Sequence, residues 1–244
     1  MLVLVLLLVL VIIEIVLVQT TDGVLQMNMK WIRGDKVIDV TINRDKYVGG
    51  SDLPTILGYN KVYNKSIIQF AREKLKLVYN SFDGNEYTEY GNIMEPKMRD
   101  YLNEVYGMNF KPDTVVDEVR KYRGNCDGLD KEHGVLLECK TFSGKLKVDY
   151  YTPQCQFYME LFNIDECWLV GYDRPKDFYH GIDYALENDH AYFNSDFDEK
   201  RLVIYKITRD KDMFREIEVE IDKFKYLLKC LKEEEEINAR RNRQ

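Results

Sequence analysis

Apolar residues along this chain switch between helical and strand spacing, and the switches mark out elements. "SIIQFAREKLKLVY" (66–79) has the spacing of an amphipathic helix, with Ser66 as its N-cap. Asn92 followed by Glu95 has the form of a capping box, which predicts a helix from there through Tyr106. Met94, Met98, Tyr101, Leu102 and Val105 form its stripe, and Gly107 ends it. Pro96 then falls in the first turn, where amides have no helical partner. From 113 to 140 the period shortens: "DTVVDEV", "KYRGNCD" and "GVLLECK" read as strands separated by turn residues. "YTPQCQFYMELF" (151–162) returns to helix, with Thr152 at the N-cap and Pro153 at the first helical position. Strands follow at 166–173 and 201–208, then a long helix over 210–236 and a basic frayed tail over 237–244. This order predicts an α/β (α+β) domain with a central sheet flanked by helices.

Composition changes that picture little. A chain of 244 residues can bury one substantial core, and no repeat or linker divides 29–236, which reads as one domain. The net charge of −7 argues against a generic nucleic-acid binder but leaves room for a local basic groove. Cys126, Cys139, Cys155, Cys167 and Cys230 are odd in number and show no paired spacing. They predict reduced, mostly buried thiols rather than a disulfide framework, a zinc site or an iron–sulfur cluster.

The N-terminus stands apart. Residues 2–18 are Leu, Val and Ile, interrupted only by Glu14, at the lower edge of membrane-span length. The basic leader and small-residue cleavage site of a signal peptide are missing. Two readings stay open: a membrane anchor over 2–18, and an extension over 1–26 outside the working domain.

The candidate chemistry lies at 127–140. On a strand, residues two apart share a face, so Glu138 and Lys140 project together. Asp127, across the hairpin, can reach the same place. Two carboxylates with the backbone carbonyl of Cys139 between them make a hard oxygen site suited to Mg²⁺ or Mn²⁺. A lysine beside such an ion can act on a water and steady developing negative charge, as phosphodiester hydrolysis requires. An isolated E-x-K pair has a plainer reading, a surface ladder of little energetic weight.

Asp127-Gly128 followed by Glu138-Cys139-Lys140 resembles the signature of the PD-(D/E)XK nuclease superfamily. More narrowly, residues 44–175 resemble the lambda exonuclease/YqaJ-type viral recombinase family. "YGNIMEP" matches its aromatic-Gly-x-x-x-Glu helix start, "QCQFY" its Q-x-Q, and "RDKYVGGSD" its Arg–Ser spacing. The resemblance implies a restriction-endonuclease-like core and Mg²⁺-dependent 5′-to-3′ exonuclease activity on linear double-stranded DNA. It implies metal binding by Asp127, Glu138 and the Cys139 carbonyl, with Glu95 as an additional acid. Lys140 would act on the attacking water, and Gln154, supported by Tyr158, would meet the scissile phosphate or that water. Arg44 and Ser51 would hold a terminal 5′-phosphate. Simpler readings remain for each addition: a capping carboxylate for Glu95, a polar helix edge for Gln154 and Tyr158, a loop arginine, and an N-cap serine. A single-strand annealing protein as partner, a homotrimeric ring, and a cytoplasmic or nucleoid-associated location are further implications. Two other functions stay open: an endonuclease or RecB-like single-strand exonuclease, and a membrane-anchored or DNA-binding scaffold without turnover.

Overall fold

The computed structural model describes residues 44–59, 66–78, 85–180 and 193–241, and four two-residue strands between Val18 and Val37. Contacts divide the chain into two units, Met1–Arg44 and Asp45–Gln244. In the first, Val18–Gln19 pairs with Leu25–Gln26 and Ile32–Arg33 with Lys36–Val37, both antiparallel. The boundary expected near residues 26–29 falls inside this unit, and residues 2–17 of the anchor expectation lie outside the described residues. Among the described residues no helix is long and apolar enough to cross a membrane.

Among its described residues the second unit holds six strands: β1 (Val48–Gly49), β2 (Lys111–Asp117), β3 (Tyr122–Asp130), β4 (Val135–Phe142), β5 (Glu166–Asp173) and β6 (Leu202–Thr208). Its helices are α1 (Leu53–Ile56), α2 (Ile67–Lys74), α3 (Glu86–Tyr106), α4 (Val148–Phe162) and α5 (Lys211–Arg241). The sheet is mixed, in the order β6-β5-β4-β3-β1, with β2 also paired to β3. β4 and β5 run parallel, joined by α4 as a crossover, while β3–β4 and β5–β6 are antiparallel. The expected mixed sheet covered by helices is therefore what forms.

Strand alternation sorts the core into two layers. Leu136, Cys167 and Leu169 face a cluster with Cys155, Phe157, Ile217 and Phe224 from α4 and α5. Val135, Leu137, Cys139, Trp168, Val170 and Tyr172 face the other way, onto Tyr90, Met94, Met98 and Leu102 of α3. Four of the five cysteines are buried and all are free thiols, as their spacing predicts.

Four boundaries differ from the sequence expectation. The α3 helix begins at Glu86, not at Asn92: the Asn85 side chain accepts the Thr88 amide at 3.0 Å, and Glu86 and Glu89 suit the positive helix end. Asn92 and Glu95 are therefore not a capping box, and Pro96 sits mid-helix, where burial of Tyr90, Met94, Met98 and Leu102 offsets one missing amide. The α4 helix begins at Val148, so Thr152 is no cap; its hydroxyl donates to the Val148 carbonyl at 2.9 Å, and Pro153 is interior. The α2 helix does start on Ser66, whose side chain accepts the Gln69 amide, but it stops at Lys74. The basic tail is helical through Arg241; its arginines suit the negative end of the α5 dipole, and Arg240 also pairs with Glu236 at 3.8 Å.

Candidate active site

The β3–β4 hairpin opens where its acidic residues lie. Gly128, Leu129 and Asp130 pair with Leu137, Leu136 and Val135, and the ladder goes no further. On the other edge of β3 the register with β2 slips between Leu129 and Cys126, which inserts an extra residue at Asp127–Gly128. Such a bulge re-aims the side chain it carries. The carboxylate of Asp127 takes over from the ladder, accepting the Cys139 amide at 2.7 Å. The Asp127 carbonyl accepts Arg99 Nη1 at 2.9 Å, and the same nitrogen bonds Glu95 at 3.0 Å.

Glu138 projects from the next position into the layer covered by α4 and is only 2% exposed. Its Oε1 accepts from Lys140 Nζ and, at 2.6 Å, from Gln154 Nε2. Its Oε2 is buried and has no hydrogen-bond partner among the described residues. Gln154 also donates to the Tyr158 hydroxyl at 3.1 Å, one helical turn on. Lys140, with 24% of its side chain exposed, has its ammonium 5.3 Å from the Tyr151 ring centroid.

The electrostatics follow from this packing. Burial pushes the Glu138 carboxyl up to about 8, the Asp127 charge adds to the rise, and Lys140 opposes it. Burial works against the Lys140 ammonium, but Glu138 and Asp127 outweigh it and hold its pKa above the ordinary value. Lys140 is thus kept charged beside a carboxyl that burial pushes toward its protonated form. Tyr158 is raised well above its usual value, chiefly by burial and then by Glu138.

Asp127, Glu138, Lys140, Gln154 and Tyr158 are therefore linked in one cluster. Glu95 stands at its edge on α3, paired to Arg99 and near enough for its charge to act on Glu138. Among the described residues no group of three or more His, Cys, Asp or Glu side chains is arranged to hold a metal ion. A cation here would rest on Asp127, Glu138 and the Cys139 carbonyl. Glu138 Oε2, buried without a donor, is the atom such a cation would satisfy.

Ser51 is exposed in a 3₁₀ turn, Gly50–Asp52, and the N-cap position of α1 is taken by Asp52. Asp52 accepts the Gly49 amide at 2.9 Å and Lys74 Nζ at 2.6 Å in a buried ion pair. This fixes the turn against α4: a Cβ on Gly50 would stand 2.7 Å from the Tyr158 ring and 2.9 Å from Gln154 Cγ. Only glycine permits that approach. Arg44 opens the turn Arg44–Lys46, and its side chain lies outside the described residues.

Sequence reasoning missed Arg99 and the Asp52–Lys74 pair. The i, i+4 spacing of Glu95 and Arg99 was a usable signal for the first. Gln156, the second glutamine of "QCQ", is a strap: it donates to the Thr208 carbonyl and accepts the Asp210 amide.

This is the fold of phage-type and alkaline exonucleases. The chain is similar to a phage related exonuclease from Haemophilus somnus 129PT, with a TM-score of 0.57 and 20% identity over 77% of this chain and 96% of that one. It is similar also to an alkaline exonuclease from Laribacter hongkongensis, with a TM-score of 0.59 and 20% identity over 81% and 95%. That enzyme has in addition been solved in complex with dAMP. No family profile and no curated protein matches the sequence.

Proposed function

We propose that this chain is a divalent-cation-dependent nuclease that hydrolyses DNA phosphodiesters 5′-to-3′ from the ends of linear duplex, as a recombination exonuclease does. The observation that carries the reading is the meeting of Asp127, Glu138 and Lys140 in the bulged gap, with one buried Glu138 oxygen lacking any donor. An orphaned carboxylate oxygen is costly unless a cation is its partner. Asp127, Glu138 and the Cys139 carbonyl would hold Mg²⁺ or Mn²⁺, which when bound supplies Lewis-acid charge at the phosphate and acidifies a water.

The chain's own residues do the rest. Gln154 clamps Glu138 Oε1 and leaves Oε2 to the cation, and Tyr158 holds Gln154 in turn. The ammonium of Lys140, kept charged by its neighbours, orients the attacking water and balances charge developing on the phosphate. Glu95 adds negative charge at the rim and is set by Arg99. Ser51, in the turn packed on Gln154 and Tyr158, is the proposed contact to a terminal 5′-phosphate, a role that the sequence resemblance also gives to Arg44. The dAMP bound by the Laribacter enzyme agrees with release of mononucleotides.

The test is incubation with 5′-phosphorylated and 5′-hydroxyl linear duplex, closed circles and single strands, with Mg²⁺ and with chelator. The phosphorylated linear duplex should be degraded fastest, circles left intact, and chelator should stop all cleavage. Arg44→Ala should erase the preference for phosphorylated ends more than it slows cleavage. Ready nicking of closed circles would replace this reading with an endonuclease.

A further inference from the structure

Tyr87, Gly91 and Glu95 are spaced four apart on α3 and lie along one helical face. Eight residues of helix separate the first from the last by about 12 Å. Between them Gly91 presents no side chain, and the nearest atom to a Cβ built on it is Thr141 Oγ1, at 3.9 Å. Thr141 directly follows Lys140 on β4. Tyr87, Gly91 and Glu95 thus follow one helical face, with the end of β4 beside Gly91.

Arg174 braces the far end. Its backbone amide donates to the Phe142 carbonyl at 2.7 Å, and its Nη1 donates to Thr141 O and Oγ1 at 3.0 and 3.1 Å. The guanidinium lies 4.8 Å from the Tyr87 ring centroid and 5.6 Å from that of Phe178. Tyr87 and Phe178 are themselves 5.4 Å apart at 30°. Among the described residues no carboxylate pairs with Arg174, so its charge is directed at ring faces and carbonyl oxygens. Packing alone accounts for Phe178, which is half-buried against the α3 core. It does not account for Tyr87, which is 47% exposed although its ring is fixed in place. A fixed, half-open aromatic ring backed by an arginine that, among the described residues, meets no carboxylate is the combination that stacks nucleobases and attracts their phosphates.

We propose that Tyr87, braced by Arg174, is the stacking platform for the nucleobase of a nucleotide near the phosphodiester held at Asp127, Glu138 and Lys140. The platform rests on the nuclease reading above. It would grip one unpaired nucleotide of the strand being degraded, by its π-face and without regard to base identity. Tyr87 is then a binding residue.

The experiment uses DNA carrying 2-aminopurine at one of several successive positions from the 5′ end. It is titrated with Mg²⁺ onto the Lys140→Ala protein, which should bind without cutting. One position should show fluorescence quenched by stacking. Adding Tyr87→Leu should abolish that quenching and weaken binding about tenfold, whereas Tyr87→Phe and Tyr87→Trp should keep both. Unchanged quenching in Tyr87→Leu, or equal losses in all three variants, would overturn the platform, with thermal melting checking that each variant folds. The two readings fail separately. A protein that cuts DNA normally but is indifferent to Tyr87→Leu lacks only the platform, whereas a wild type that neither binds nor cuts DNA is no nuclease.

Discussion

Asp130 and Glu138 are two buried carboxylates on the strands of one hairpin, and their surroundings are opposite. Around Asp130 the donors are complete. Its Oδ1 accepts the Glu132 and His133 amides, each at 3.0 Å, and its Oδ2 accepts the Asn109 amide at 2.7 Å and faces His133 Nδ1 at 2.9 Å. Burial alone would raise its carboxyl, but these donors outweigh burial and bring it down to about 2. Around Glu138 both donors converge on one oxygen and the other has none. Burial there wins, and the carboxyl rises to about 8. The fold has the means to satisfy a buried carboxylate completely, and it does so at the turn. At the open end it leaves one oxygen of Glu138 without a donor among the described residues, the atom that the proposed cation would satisfy. On the proposed function, the contrast separates a carboxylate that builds the hairpin from one available for chemistry.

The largest effect should come from the open end. Glu138→Ala or Lys140→Ala should reduce metal-dependent cleavage by orders of magnitude while leaving the folded far-ultraviolet spectrum unchanged. Retention of more than about a few per cent of activity in either variant would remove these residues from the site.

Asp130 should show the reverse. Asp130→Ala leaves three backbone amides without their acceptor and should cost about 2–4 kcal/mol in urea unfolding, with cation affinity little changed. Because its folded value lies below the usual carboxylate range, the stability it contributes is present above about pH 4 and lost as pH falls toward 2. A weak cation site in Asp130→Ala would mean that the two ends are not independent. The His133 contribution is the smallest and has the opposite pH sense. Asp130 raises the imidazole pKa, so stabilisation by His133 is complete at low pH and disappears as pH rises through that raised value. Comparing His133→Ala with wild type across pH 5–9 would show the difference vanishing at the alkaline end.

Much of this hairpin is legible in the sequence, and the reason is the period of two. Once "GVLLECK" is read as a strand, Glu138 and Lys140 must share a face, and α4 supplies the layer that covers it. The bulge at Asp127 is not legible, because it is set by the pairing of β3 with β2 rather than by β3 itself. The start of α3 lies earlier than its spacing suggests, for a local reason. Asn92 and Glu95 have the right spacing for a cap, but Asn85 and Thr88 use the same device earlier, and packing of Tyr90 and Met94 carries the helix through Pro96. Thr152 and Pro153 likewise have the form of a helix start but lie inside α4. The Asp52–Lys74 pair and the grip of Arg99 on the Asp127 carbonyl join residues 22 and 28 positions apart. Such contacts exist only once the elements have packed, and no spacing rule announces them.

The most direct measurement is calorimetric titration of the metal-free protein with Mn²⁺ at several values between pH 6 and 9. A proton on Glu138 competes with the ion, so affinity should strengthen as pH rises toward about 8 and level off above it. Binding below that point should release a proton to the buffer, and Glu138→Gln should abolish the site. Affinity that is flat across the range, or a site that survives in Glu138→Gln, would contradict the assignment of Glu138 as the residue that waits for a cation.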